Sequence, residues 1–298
     1  MKRIVLPLLL LATAAPAQPS KPVESVTVTG TRSREVLHNF VQSFAAPARI
    51  SGKLVRWQDG VCPVTVGLKD QFTKFISQHV KDVAAQVGAP VNGRAGCRAN
   101  IEIVFTTTPQ QLMDNVRSHQ ALFLGYHDSS AQADALAKVT HPIQAWYTTE
   151  TRDLRGKSVL DSALLQGTGQ QSNVQGDSSQ LEWGAAAVTG SRLGDGKSSA
   201  FYHVIVVAEP ARLKDYEIGT LADYIAMLAL TQLNTLDACQ PLPSVINLLA
   251  RDCDRPASRL TANDLGFLKG LYKMSIGRNA GTEMDEVVFQ MQADADGK

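Results

Sequence analysis

The fold is decided by two apolar stretches, FYHVIVVA at residues 201–208 and LADYIAMLALTQL at residues 221–233. The first is rich in β-branched residues, which predicts the strongest strand of the chain. The second is apolar on nearly all sides, which is typical of a helix deep in a core. Together they predict a core in which a sheet packs against helices.

Further elements precede and follow this pair. Apolar residues at helical spacing predict a helix over residues 69–87 that ends at Gly88, and residues 101–105 form a clear strand. The same patterns predict more helices at residues 33–44, from 109, and at 130–139 and 261–273, with more strands within residues 54–68 and 143–148. The predicted fold class is α/β (α+β), with a mixed sheet packed against helices.

The composition changes between Arg152 and Ser199, where Gly, Ser, Asp and Gln dominate. Only two short apolar pieces interrupt this region, at residues 159–165 and 181–188. We predict a Gly/Ser-rich, loop-rich insertion over residues 152–199 that carries a loose hairpin.

The start of the chain has the order of a secretory signal. Lys2 and Arg3 precede an apolar run over residues 4–15, and the small-residue pattern Ala15-Pro16-Ala17 follows. The run is shorter than the roughly 20 residues that span a bilayer. We therefore predict a signal peptide over residues 1–17 with cleavage after Ala17, a flexible leader over residues 18–24, and a single exported domain over residues 18–298.

The net charge argues against two classes of partner. It is +1 at pH 7, and loss of Lys2 and Arg3 changes it to about −1. A nearly neutral protein is not drawn to nucleic acid or to an anionic membrane by its overall charge. We expect no nucleic-acid partner and no stable membrane insertion.

The cysteine count predicts disulfides. The chain has four cysteines, an even number that favours disulfides in an exported protein. Of the three possible pairings, Cys62 with Cys97 and Cys239 with Cys253 closes the shortest loops and is the one we expect. A four-cysteine zinc site is the alternative, but the paired spacings of two to four residues that zinc sites use are missing.

Three segments of the C-terminal third occur in a recognisable order: IAMLALTQL at residues 225–233, PSVIN at 243–247 and LTANDLGFLKGLY at 260–272. In this order they resemble the metal-binding helix, the turn below the metal and the closing helix of the zincin class of zinc-dependent peptidases. The similarity is greatest to matrixin-like bacterial relatives and to an uncharacterised exported bacterial family. The resemblance implies a zincin-like C-terminal part over residues 201–291.

The resemblance places the catalytic positions of these enzymes on Leu228, Ala229 and Gln232. In the enzymes two histidines on one helix hold zinc, and the glutamate between them acts as general base. Leucine and alanine offer no lone pair, and a glutamine amide is a poor zinc ligand compared with imidazole. We therefore expect no catalytic residue, no metal and no cofactor, with the helix kept for packing and Gln232 as a structural hydrogen-bond donor.

Other chemistry-bearing residues favour structural roles. The six histidines are scattered and no two lie three or four residues apart, which indicates surface or singly bonded positions: His38, His79, His119, His127, His141 and His203. Three acidic residues near the end predict the solvated face of a final helix: Glu283, Asp285 and Glu286. Four aromatic residues are expected to pack, with a binding surface as the alternative: Trp57, Trp146, Tyr147 and Trp183.

The predicted function is that of a non-catalytic protein of the periplasm or the extracellular medium. Its expected partner is an extended peptide held along an edge strand by main-chain pairing, or an envelope protein. An exported hydrolase with a dispersed active site is the alternative, although the sequence has no Gly-x-Ser-x-Gly elbow. A structural partner of an envelope complex is the third hypothesis.

Overall fold

The computed structural model describes residues 34–162, 194–253 and 256–295. All of them belong to one compact unit, Thr31–Lys298. The predicted signal peptide over residues 1–17, its cleavage after Ala17 and the leader over residues 18–24 lie outside the described residues.

The described residues form a mixed α/β fold, as predicted. Its strands are β1 (Val55–Arg56), β2 (Pro63–Val66), β3 (Ile101–Phe105), β4 (Ile143–Arg152), β5 (Ser158–Leu160) and β6 (Ser198–Ala208). Its α-helices are α1 (Arg34–Phe44), α2 (Asp70–Val87), α3 (Pro109–His119), α4 (Ser130–Leu136), α5 (Ile218–Leu230), α6 (Ala262–Lys273) and α7 (Ala280–Ala295). Short 3-10 helices lie at Ala121–Leu124, Pro210–Arg212 and Val245–Leu248.

The strand predicted as strongest, β6, is the centre of a mixed sheet. The strand order is β2-β3-β6-β4-β5, and β1 pairs with the start of β6 on the same side as β3. β2 is parallel to β3, and both β1 and β3 are parallel to β6, whereas β4 is antiparallel to β6 and to β5. The predicted strand, turn and strand over residues 54–68 is present, but β1 and β2 belong to different positions in the sheet and do not pair with each other.

Helices cover both faces of the sheet. On the first face, alternate residues of β6 such as Val204 and Val206 join the larger core with α1, α2, α5, α6 and α7. On the second face, Ile205 and Val207 pack in a smaller core beneath α3, α4 and the 3-10 turn at Ala121–Leu124. Because β6 is buried on both faces, its sequence is an almost continuous apolar run rather than an alternating one.

The deeply buried helix predicted from its apolar sequence is α5. Every residue from Thr220 to Leu230 is buried. The helix begins at Ile218 and ends at Leu230, so both ends lie three residues before the predicted bounds of 221 and 233. Gln232 therefore lies beyond the helix.

Sequence signals at other helix ends are confirmed. Gly88 ends α2 in the left-handed region at φ 83°, where its N–H donates to the carbonyls of the last turn. Thr261 and Asp264 form a complete capping box at the start of α6.

Both predicted disulfides are present. Cys62 pairs with Cys97 and Cys239 with Cys253, at sequence separations of 35 and 14. Two disulfides indicate folding in an oxidising environment, as in exported proteins. No described helix is long and apolar enough to cross a membrane.

Both described ends of the predicted insertion over residues 152–199 contribute strands to the sheet. β4 continues to Arg152, β5 pairs back onto it, and β6 begins at Ser198. The carboxylate of Asp161 accepts hydrogen bonds from the hydroxyls of Thr149 and Thr151, at 2.7 and 2.8 Å. Residues 163–193, which include most of the predicted hairpin, lie outside the described residues.

The prediction of a solvated acidic face on the last helix is wrong at Glu283. This side chain is 1% exposed and accepts a hydrogen bond of 3.0 Å from the N–H of Leu54, just before β1. Asp285 is exposed and pairs with Arg34, and Glu286 accepts from the N–H of Ser275. The difference arises because the first turn of α7 lies against the segment that leads into β1, which the helical pattern alone does not reveal.

Candidate functional site

The helix positions that the resemblance singles out are packed rather than open. Leu228 and Ala229 lie in the last turn of α5 and are 1% and 0% exposed. Three aromatic side chains surround this turn and donate to its carbonyl oxygens: Tyr147 Oη to Leu228, Trp57 Nε1 to Ala229 and Tyr272 Oη to Leu230, at 2.8–3.0 Å. These bonds satisfy the carbonyls that a helix end leaves without an intrahelical partner, and the rings fill the space around it.

The two tyrosines are less acidic than a free phenol because they are buried. Burial raises the pKa of Tyr147 and of Tyr272 well above the ordinary value, so both hydroxyls are neutral donors at physiological pH. Three of the four aromatic residues weighed as a binding surface, Trp57, Trp146 and Tyr147, thus pack in the interior or against a core. Trp183 lies outside the described residues.

The backbone around Gln232 bonds to the segment at the end of α1 and does not continue the helix α5. Its carbonyl accepts from the N–H of Ala46, and the N–H of Asn234 donates to Phe44 at the end of α1. Its side-chain Oε1 is buried without a hydrogen-bond partner among the described residues. Leu228 and Gln232 therefore do not share a helical face, as two metal-binding residues four apart would.

The three segments that carry the resemblance contact one another. Asp264 in the third segment accepts from the hydroxyl of Ser244 and the N–H of Val245 in the second, at 2.5 and 2.9 Å. The hydroxyl of Tyr272 at the end of the third donates to Leu230 in the first. Burial raises the pKa of Asp264, while its four hydrogen bonds favour the charged form.

Three histidines pair with carboxylates. The distance from the histidine Nε2 to a carboxylate oxygen is 2.5 Å for His79 and Asp223. It is 3.0 Å for His141 and Asp237 and 3.4 Å for His203 and Glu102. A hydrolase triad also needs a hydroxyl at the other ring nitrogen. Among the described residues only His141 has one, the exposed Thr140 at 2.8 Å, and no serine takes this position. No three His, Cys, Asp or Glu side chains cluster as metal ligands in the described part of the chain.

Unpaired backbone groups that could bind a partner lie along the outer edge of β2. Successive strand residues alternate in the direction of their N–H and C=O groups. Both backbone groups of Val61, just before β2, point outward: its N–H donates to the carbonyl of Pro90, and its C=O accepts from the N–H of Asn92. The carbonyl of Cys62 instead points inward and accepts from the N–H of Asn100, just before β3.

This alternation fixes which groups of β2 face outward. Val64 and Val66 pair with β3, whereas Pro63 and Thr65 direct their polar groups away from the sheet. Because proline has no N–H, the outer edge carries one donor, Thr65 N–H, and two acceptors, the carbonyls of Pro63 and Thr65. No described residue pairs with these three groups.

No helix of the described residues covers the second face of the sheet beside this edge. Val64 and Val66 are 39% and 47% exposed, and the register places them beside Glu102 and Val104 of β3. The next residues in the two rows, Ile205 and Val207 of β6, are buried beneath the second layer of helices. We call the outward backbone groups of Pro63 and Thr65, together with the side chains of Val64, Val66, Glu102 and Val104, the edge site.

A buried histidine beside Glu102 borders the edge site. His203 is 8% exposed, and its ring lies 4.6 Å from that of Phe123. Burial lowers the pKa of His203, an effect that the nearby Glu102 opposes and Arg98 adds to. The buried Nδ1 of His203 has no hydrogen-bond partner among the described residues.

The sequence contains a signal for this site that the prediction of strands alone did not use. Proline at the first position of a strand, followed by the alternation Val-Thr-Val, is typical of an edge strand with one exposed face. Which neighbour pairs with that strand, and which face is left bare, depends on contacts between residues far apart in the chain.

No family model, curated protein or solved structure matches the chain. The choice between candidate functions therefore depends on the contacts described above.

Proposed function

We propose that the protein is a non-catalytic binding protein of the periplasm or extracellular medium, with a degenerate zincin-like fold, that captures an extended peptide along β2. The observation that carries this proposal is the outer edge of β2, where no described residue pairs with Thr65 N–H and two carbonyls, beside two exposed valines. Strand addition of this kind uses main-chain bonds for affinity and alternate side chains for specificity.

The contacts among the three resembling segments support the fold part of the proposal. The turn and the closing helix are joined through Asp264, and the closing helix is joined to α5 through Tyr272. The packed surroundings of Leu228 and Ala229 support a function away from the former catalytic helix.

The chain itself already pairs with this edge at one position. Pro90–Asn92 binds both polar groups of Val61 and then turns away towards Cys97. A bound peptide would continue the same line past Pro63 and Thr65. Every second peptide side chain would then lie over the second face, where Val64 and Val66 offer apolar contact.

Few bonds are available, which limits the expected affinity. Each net hydrogen bond contributes about 1 kcal/mol, and the two valines add a small apolar area. We expect dissociation constants on the order of micromolar or weaker.

Selection of peptides from a random library on the exported, purified protein tests this proposal. Selected peptides should bind in fluorescence anisotropy, and Thr65→Pro should abolish binding because it removes the only outward donor while every bond to β3 is kept. Thr65→Val, which keeps the N–H, is the matched control.

A second pair of variants guards against a folding defect in Thr65→Pro. Val66→Lys adds a charge at the edge and should weaken binding at least tenfold, while Phe289→Lys changes an exposed apolar residue on α7 and should leave it unchanged. Equal binding by Val66→Lys and the unmodified protein would contradict the proposal, as would a selection that enriches no peptide. If the protein instead hydrolyses the selected peptides, the result favours the alternative function, an exported hydrolase.

A further inference from the structure

We infer that the edge site prefers peptides carrying a lysine or arginine with an apolar residue two positions away, on the side of Val66. This inference rests on the proposed function. It is carried by the position of one half-exposed carboxylate, that of Glu102, which lies beside Val64 on the face that no described helix covers.

The distance from the bound strand to Glu102 suits a long cationic side chain. Glu102 lies beside Val64, one strand further from the edge. A peptide on the outer side of β2 lies two strand spacings from β3, roughly 9–10 Å. The methylene stem of lysine or arginine can cover Val64 while its charged head meets the carboxylate, which is 47% exposed.

Glu102 keeps its charge available for a ligand. Its only ion pair among the described residues is with His203, at 3.4 Å. Because burial lowers the pKa of His203, the imidazole is neutral at pH 7.5 and does not neutralise the carboxylate. Arg98 is exposed and forms no ion pair with Glu102 among these residues.

The neighbours of Glu102 define the rest of the pattern. Peptide residues two positions before and after the cation fall on the same face. Val66 and Val104 form the next row of that face, so an apolar side chain is favoured there. A peptide with acidic residues at the central position would place like charges together.

Three capped heptapeptides that differ at one position test the inference: Ser-Val-Thr-Lys-Thr-Val-Ser and its variants with Gln or Glu in place of Lys. We expect the Lys peptide to bind about two- to fivefold more tightly than the Gln peptide, as for an exposed ion pair, and the Glu peptide to bind most weakly. Raising the salt concentration should reduce the difference.

Glu102→Gln should bring the Lys and Gln peptides to equal affinity. Glu35→Gln, which removes an exposed carboxylate from α1, should keep the preference. A preference that survives in Glu102→Gln overturns the inference. Equal binding of all three peptides that remains sensitive to Val66→Lys also overturns it and leaves the proposed function intact, whereas no binding of any peptide contradicts both.

Discussion

At the scale of single residues, Glu283 has the most informative surroundings. Burial raises its pKa from 4.5 to about 7, although the Leu54 N–H and the charges of Lys53 and Arg56 favour the carboxylate. Lys53 is itself buried and pairs with Asp195 at the far end of the insertion. Ionisation of this carboxyl group is therefore disfavoured in the folded protein.

Stability should fall as the pH rises through the range in which Glu283 ionises. The folded protein holds the proton up to about pH 7 and the unfolded chain releases it near 4.5, so ionisation disfavours the fold by up to about 1.4 kcal/mol for each pH unit between these values. Glu283→Gln should remove this loss, because the amide oxygen can still accept from Leu54. Urea unfolding at pH 5 and pH 8 measures the effect, with Glu35→Gln as the control.

The loss between pH 5 and pH 8 should persist in Glu35→Gln, whose carboxylate is exposed. An equal loss in Glu283→Gln would show that another group is responsible.

At the scale of elements, local chemistry predicts helices better than sheet edges. Gly88 ends α2 because it alone adopts the left-handed conformation cheaply, and the Thr261–Asp264 box starts α6; both signals lie within four residues. The end of α5 has no such signal. Its last carbonyls are satisfied by Trp57, Tyr147 and Tyr272, which come from distant parts of the chain.

The edge site shows the same limit more strongly. The sequence predicts β2 and β3 as strands, and both are present. Their exposure depends on the second layer of helices, which covers Ile205 and Val207 and stops short of Val64 and Val66. Burial of Glu283 likewise depends on where α7 packs, so neither feature follows from a local pattern.

The two disulfides should contribute unequally to stability. By chain entropy the bridge between Cys62 and Cys97, at a separation of 35, stabilises the fold by about 4 kcal/mol, and the bridge between Cys239 and Cys253, at 14, by about 3 kcal/mol. Serine replacement of each pair, followed by urea unfolding, measures both. Cys62→Ser with Cys97→Ser should also weaken peptide binding, since Cys62 immediately precedes β2.

The second double variant, Cys239→Ser with Cys253→Ser, is the matched control for binding. Its affinity for the selected peptides should be unchanged under conditions in which it is folded. A larger loss of binding in this variant would place the site nearer to the C-terminal loop than to β2.

At the scale of the whole molecule, unequal helix layers create the opening. The first layer extends from β4 to β2, where Ser77 of α2 bonds to Thr65 at 2.9 Å. In the described part of the chain, the second layer covers β6 and β4. At one corner of the sheet, the described residues therefore leave an edge unpaired and a face without helices, which suits strand addition.

The most direct test of the central claim is the hydrogen exchange rate of the Thr65 amide, measured by NMR with and without a selected peptide. In the free protein this N–H should exchange faster than that of Val66, which pairs with β3. Bound peptide should slow exchange at Thr65 at least tenfold and leave Val66 nearly unchanged. Unchanged exchange at Thr65, with protection elsewhere in the saturated complex, would contradict the account.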